Sequence, residues 1–194
     1  MEQRLPRIFL HFPSPRFLPL PGIVSPTTTT GKVVRVLDGD TIEVLHGNRP
    51  ERIRLNGIDC PEKGQAYGKR AKQAASELVF GKEVTLQTFG KDKYGRTIAD
   101  VLLPDGTNVN HTLVKDGWCW WYRKYAPGDT VLEGLEKDAR KARKGLWLDP
   151  APIPPWVYRK AKRGGRHLTF SSRGTDEHFI DWLNHHWLCW ASPQ

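Results

Sequence analysis

Two periods of apolar and polar positions divide the chain. Val33, Val34, Val36 and Leu37, followed by Thr41-Ile42-Glu43-Val44-Leu45, read as two strands joined by a turn at Asp38-Gly39. The segment from Arg52 to Ile58 alternates polar and apolar residues, which predicts a third strand with one buried face. The period then lengthens. Ala71, Ala74, Ala75, Leu78 and Val79 recur at helical spacing, and Gly81 suits the end of that helix. Glu83–Gln87 and Thr97–Leu102 predict two more strands, and Pro104-Asp105-Gly106 a turn. Val109, Leu113 and Val114 start a short helix closed by Gly117. A last helix opens with Thr130-Val131-Leu132-Glu133, which fits a capping box, and Gly145 ends it. This order predicts an α+β, mainly β fold: a five-stranded barrel of the OB type with about three helices.

The flanks differ from this core. Residues 1–30 contain six prolines and no lysine, and they end in four threonines, a composition that predicts a disordered Pro-rich arm. Arg4 and Arg7 before Ile8-Phe9-Leu10 resemble the start of an export signal, but Pro13, Pro15, Pro19 and Pro21 break the apolar run it needs. Residues 31–150 form the predicted domain. Residues 151–194 open with Pro152, Pro154 and Pro155 and continue into a basic run, Arg159 to Arg166, read as a solvated tail that adds non-specific phosphate affinity. Beyond it, Phe179, Ile180, Trp182, Leu183, Trp187 and Leu188 have the spacing of a short amphipathic segment. No apolar run approaches the eighteen or so residues of a membrane span.

Charge narrows the function classes. Thirty Lys and Arg against 21 Asp and Glu give a net charge of +9, which favours a polyanionic partner, nucleic acid ahead of a membrane surface. Cys60, Cys119 and Cys189 are an odd number, so they make no closed disulfide framework, and no Cys-x-x-Cys spacing points to zinc. Cys60 has no histidine near it in sequence and reads as a simple small residue. In Trp118-Cys119-Trp120-Trp121, Trp118 is assigned to the core and Trp120 or Trp121 to the surface. The adjacent His185 and His186 point apart on a strand or helix and form no metal site.

Four carboxylates lie near predicted strand ends: Asp38 and Asp40 around one turn, Asp59 and Glu62 after the third strand. Neighbouring strands would bring these turns to one barrel rim, where carboxylates and backbone carbonyls make a hard-oxygen site for Ca²⁺ or Mg²⁺. Singly, each motif is an ordinary hairpin turn or helix entry. Arg54 and Arg96 change the picture, because arginine grips phosphate with two parallel N–H donors. Metal-binding carboxylates, a further glutamate and two arginines are the components of phosphodiester hydrolysis.

With these motifs in place, Asp38-Gly39-Asp40-Thr41, Arg54-Leu55-Asn56-Gly57-Ile58-Asp59-Cys60-Pro61-Glu62 and Asp92-Lys93-Tyr94-Gly95-Arg96 together resemble the staphylococcal nuclease (thermonuclease) family, from about Lys32 to Trp147. The resemblance implies a Ca²⁺-dependent endonuclease acting on DNA and RNA, preferring unpaired strands and leaving 3′-phosphate ends. It implies Asp40 and Asp59 as calcium ligands together with the carbonyl of Cys60, where the family commonly has threonine. It implies Glu62 as the general base, and Arg54 and Arg96 as phosphate-binding arginines. Lys93, Tyr94 and Tyr125 fall at substrate-binding positions, while Arg123 replaces a second expected tyrosine, leaving Trp120, Trp121 or Tyr122 to compensate. Exported relatives are common in the family, and no obligate protein partner is implied, so a monomer is expected. The competing reading is a non-catalytic OB module that only binds nucleic acid; the presence of all five of Asp40, Arg54, Asp59, Glu62 and Arg96 favours the enzyme.

Overall fold

Val33, Val44, Ile53, Leu86 and Val101 come from five different strands, and all are completely shielded from solvent inside one barrel. The computed structural model describes residues 27–164. Its elements are β1 (Thr27–Asp38), β2 (Thr41–His46), β3 (Arg49–Leu55), β4 (Ile58–Asp59), α1 (Gly68–Val79), β5 (Glu83–Lys91), β6 (Thr97–Leu102), α2 (Val109–Lys115), β7 (Trp120–Trp121), α3 (Thr130–Lys141) and α4 (Pro155–Arg163), with a 3-10 turn at Gly145–Leu148 before α4.

The barrel closes in the order β1-β2-β3-β6-β5, as the predicted OB-type fold requires. Only the β3–β6 pairing is parallel. One long strand closes the circle: the first half of β1 pairs with β5, from Thr27↔Thr88 to Lys32↔Glu83, and the second half pairs with β2. A register shift between Val33 and Arg35 bends β1 where it passes from one partner to the other. Thr27–Thr30, assigned above to the Pro-rich arm, are therefore strand residues; threonine's branched Cβ suits them to it. The rest of that arm, residues 1–26, and the amphipathic segment and histidine pair after residue 164 lie outside the described residues.

The third strand is shorter than the alternation suggests. β3 stops at Leu55, Gly57 turns the chain with φ 71°, and Ile58-Asp59 form a separate strand paired with Trp120-Trp121. That antiparallel register sets Cys60 opposite Cys119, and the two form a disulfide. Cys60 is thus a half-cystine, not an isolated small residue. Trp120 and Trp121 are both buried and Trp118 only partly so, the reverse of the expected division, because β7 is covered by α3 and the 3-10 turn.

The helices pack on this frame. α1 lays Ala71, Ala75 and Val79 against the core. α2 carries the buried Asn110, whose Oδ1 accepts from Val101 N and whose Nδ2 donates to Asn56 O, tying β6 to the β3–β4 turn. α3 is capped one residue earlier than predicted: the Asp129 side chain accepts from Val131 N and Leu132 N, which leaves Thr130 as the first helical residue. The first part of the basic run read as a solvated tail, residues 159–163, belongs to a helix, α4, started by Pro155 in its first turn and folded back onto the domain.

Candidate active site

The β1–β2 turn sits directly on the loop after β4. This needs glycine at position 39, where an added Cβ would lie 2.8 Å from Cys60 Cβ and 3.1 Å from Ala71 Cβ. The close approach lets Asp40 Oδ2 accept a hydrogen bond from Cys60 N at 2.9 Å, while Oδ1 accepts from Thr41 Oγ1 at 3.0 Å. Glycine is needed again at position 68, where a Cβ would fall 2.1 Å from the Glu62 carbonyl oxygen; its absence lets α1 begin beneath the Glu62 loop.

Arg54 reaches this rim from β3, where it pairs with Thr41. Its Nη2 lies 3.0 Å from Asp59 Oδ1 and 3.3 Å from Asp40 Oδ2, and Nη1 donates to Leu55 O at 3.0 Å. The carboxylates from two separate loops are thereby gathered around one guanidinium. Arg96 comes from the β5–β6 turn. Asp92 clamps its Nε at 2.8 Å and Nη2 at 2.7 Å, and Nη1 faces Thr41 Oγ1 at 3.3 Å. Glu62 lies at the same rim.

A residue from outside the predicted set completes the cluster. Arg159 of α4 sets Nη2 at 2.7 Å from Asp59 Oδ2 and Nη1 at 3.1 Å from Asp59 Oδ1, and donates from Nη1 to Glu62 Oε1 at 2.6 Å. The basic run in the sequence signalled its charge. The pairing of Trp156 and Arg159 three residues apart, one helical face, was the available sign that the run is a docked helix.

Burial shapes the titration of these acids. It pushes the Asp59 carboxyl above the ordinary carboxylate range, against the pull of the Arg159 hydrogen bonds and the Arg54 charge, and the Asp40 charge adds to the rise. Burial likewise pushes Asp38 up to about 6, helped by the Asp40 and Glu62 charges and opposed by the Gly39 N–H bond. The folded chain therefore holds a proton on Asp38 that the unfolded chain, titrating near 3.8, has released. Stability falls as pH rises through that window and stays lower above it. Asp38→Asn keeps the oxygen that accepts from Gly39 and removes the charge. In metal-free protein it is expected to raise the melting temperature at about pH 7 and to change it little at about pH 4. Equal shifts at both pH values would show that the charge is not the cause.

The remaining predicted residues lie around this cluster. Tyr94, 71% exposed, has Lys93 Nζ at 5.0 Å and Arg96 Cζ at 5.5 Å from its ring centre. Tyr125, 64% exposed, meets the Tyr122 ring edge-on at 4.9 Å. Tyr122 in turn stacks in parallel on Trp156 of α4 at 5.3 Å. Arg123 binds the buried Glu136 at 3.0 Å and lies over the Trp121 ring at 4.3 Å, so it is engaged with the scaffold.

Among the described residues, no three His, Cys, Asp or Glu side chains converge as a ready cation cage. The donor set nevertheless fits a hard cation. Asp40 and Asp59 offer only oxygen, and the positive charge set against them here comes from Arg54 and Arg159.

The closed barrel is of the OB type, with carboxylates and arginines gathered at one rim. Comparison with known proteins identifies the family. Residues 52–149 match the family model described as staphylococcal nuclease homologue. An uncharacterized endonuclease of Escherichia coli O157:H7 is 48% identical over 132 residues, covering 68% of this chain and 86% of that protein. A micrococcal nuclease of Shigella flexneri is 44% identical over 142 residues, covering 69% of this chain and 82% of that one. A probable staphylococcal-like nuclease of Oryza sativa subsp. japonica is 40% identical over 114 residues, 59% of this chain and 34% of that protein. The chain belongs to the staphylococcal nuclease family and is a nuclease.

Proposed function

We propose that this nuclease is a Ca²⁺-dependent endonuclease that hydrolyses phosphodiester bonds of DNA and RNA, prefers unpaired strands and leaves 3′-phosphate ends. The observation that carries the reading is the convergence of Asp40, Asp59 and Arg54, with Arg54 Nη2 within 3.3 Å of both carboxylates, beside the clamped fork of Arg96. Asp40 and Asp59 would hold the cation together with the Cys60 carbonyl. When bound, the cation supplies positive charge to the phosphate oxygens. Arg54 and Arg96 grip the same phosphate as negative charge builds on it. Glu62 takes a proton from the attacking water. Lys93 and Tyr94 contact the substrate beside Arg96, and the exposed Tyr125 ring offers a face to an unpaired base.

Digestion of single-stranded DNA tests this reading. Cleavage is expected with Ca²⁺ and much less with Mg²⁺, because two loop carboxylates and a backbone carbonyl make a flexible oxygen set, whereas the smaller ion demands a near-ideal octahedron and gives up water reluctantly. End-group analysis should find 3′-phosphates. Undiminished cleavage in excess EDTA would overturn the metal mechanism.

A further inference from the structure

α4 approaches the rim in a way the proposed reaction does not use. Its Arg159 fork covers both oxygens of Asp59 and one oxygen of Glu62. On the proposed function these are a cation ligand and the proton acceptor, so one guanidinium engages both. Three residues earlier, Trp156 lies parallel to the Tyr122 ring, with only 2° between the planes. A stacked base would meet an aromatic ring in the same way. The helix thus presents a cation to the carboxylates and a flat ring to an aromatic platform, the two features of a metal-bound nucleotide.

The docking is shallow. Of the nine residues of α4 only Pro155 is buried. Besides the Arg159 pairs with Asp59 and Glu62, α4 is held by an Arg159–Tyr122 hydrogen bond, by Trp156 packed on Tyr122 and on the cluster around Trp120 and Trp147, and, just before it, by a hydrogen bond from Gln65 Nε2 to Ile153 O. Release of α4 therefore hinges on the Arg159 pairs, whose charge an arriving cation replaces at Asp59. Lys160, Lys162 and Arg163 lie in its last turn, where a nucleic-acid phosphate would offer the released helix a second place to bind.

We propose that α4 is an autoinhibitory strap: Arg159 withholds Asp59 and Glu62 from cation and water, Trp156 covers Tyr122, and cation with substrate displaces both. The inference rests on the proposed metal-dependent reaction. Its quantitative form is competition, in which the apparent affinity for Ca²⁺ is the intrinsic affinity reduced by the fraction of molecules with α4 released.

The test is calorimetric titration of the full chain with Ca²⁺ alone, for wild type, Arg159→Gln and Trp156→Ala, with hydrogen exchange of the amides of residues 156–163. Arg159→Gln is expected to tighten Ca²⁺ binding about 10-fold, since it removes a charge-assisted pair that must break before the cation enters. Trp156→Ala removes a docking contact without changing charge, and it is expected to tighten binding in the same direction. In wild type, Ca²⁺ should speed exchange in α4. If the tryptophan variant binds Ca²⁺ with wild-type affinity, the arginine effect is simple charge removal and the strap is refuted. Slower exchange in α4 on adding Ca²⁺ refutes it equally. Wild-type-like Ca²⁺ binding in all three proteins defeats the strap alone, whereas no binding in any of them defeats the metal reading and the strap with it.

Discussion

Arg54→Lys is expected to lower kcat on single-stranded DNA about 100-fold or more, and Arg96→Lys to do the same, the scale for losing one preorganised donor to developing charge. Arg54 is only 14% exposed and uses two nitrogens for three directed contacts, to Leu55 O, Asp59 and Asp40. An ammonium group keeps the charge but has no planar fork, so it cannot gather two carboxylates and a carbonyl while presenting a second edge to phosphate. Arg96 is held in one orientation by three contacts with Asp92, two of them from its guanidinium and one from its backbone N–H. Lysine would keep one of the side-chain contacts at most. Stopped-time digestion of a labelled oligonucleotide, with circular dichroism to verify the fold, measures the effect. Near wild-type kcat in both variants would remove the arginines from the chemistry.

The second large effect is expected at Glu62. Glu62→Gln preserves shape and the oxygen that accepts from Arg159, but it cannot take a proton. A positioned base contributes roughly 100- to 10,000-fold, so kcat should fall within that range while the dissociation constant for DNA, measured in Ca²⁺ under non-turnover conditions, changes little. Weakened DNA binding with unchanged kcat would make Glu62 a substrate contact instead of a base.

Local chemistry made the rim readable in the sequence. Asp38-Gly39-Asp40 is a turn by its own composition, and the alternation in Arg52–Leu55 fixes which face Arg54 takes. Features set by distant pairing were not readable. Thr27–Thr30 have no apolar alternation, and they become strand only because β5 lies beside them to close the barrel. β4 and β7 are two residues each, too short for any period, yet their register decides the Cys60–Cys119 bond and buries Trp120 and Trp121. Arg159 meets Asp59 across 100 residues of sequence, so residues 159–163 of a basic run that satisfied every local criterion for a solvated tail belong to a helix seated on the site.

The Cys60–Cys119 bond also acts where no folded structure exists. It joins positions 59 residues apart, so the unfolded oxidised chain carries α1, β5, β6 and α2 in a covalent ring. On the chain-entropy account, closing a ring of that size removes unfolded-state freedom equivalent to about 4 kcal/mol. Two of the five barrel strands and the loop that carries Glu62 lie within the ring and are thereby tethered before any strand pairs. The same amino-acid sequence thus has two folding problems, one as an open dithiol chain and an easier one as a ring, and the redox poise of its surroundings selects between them.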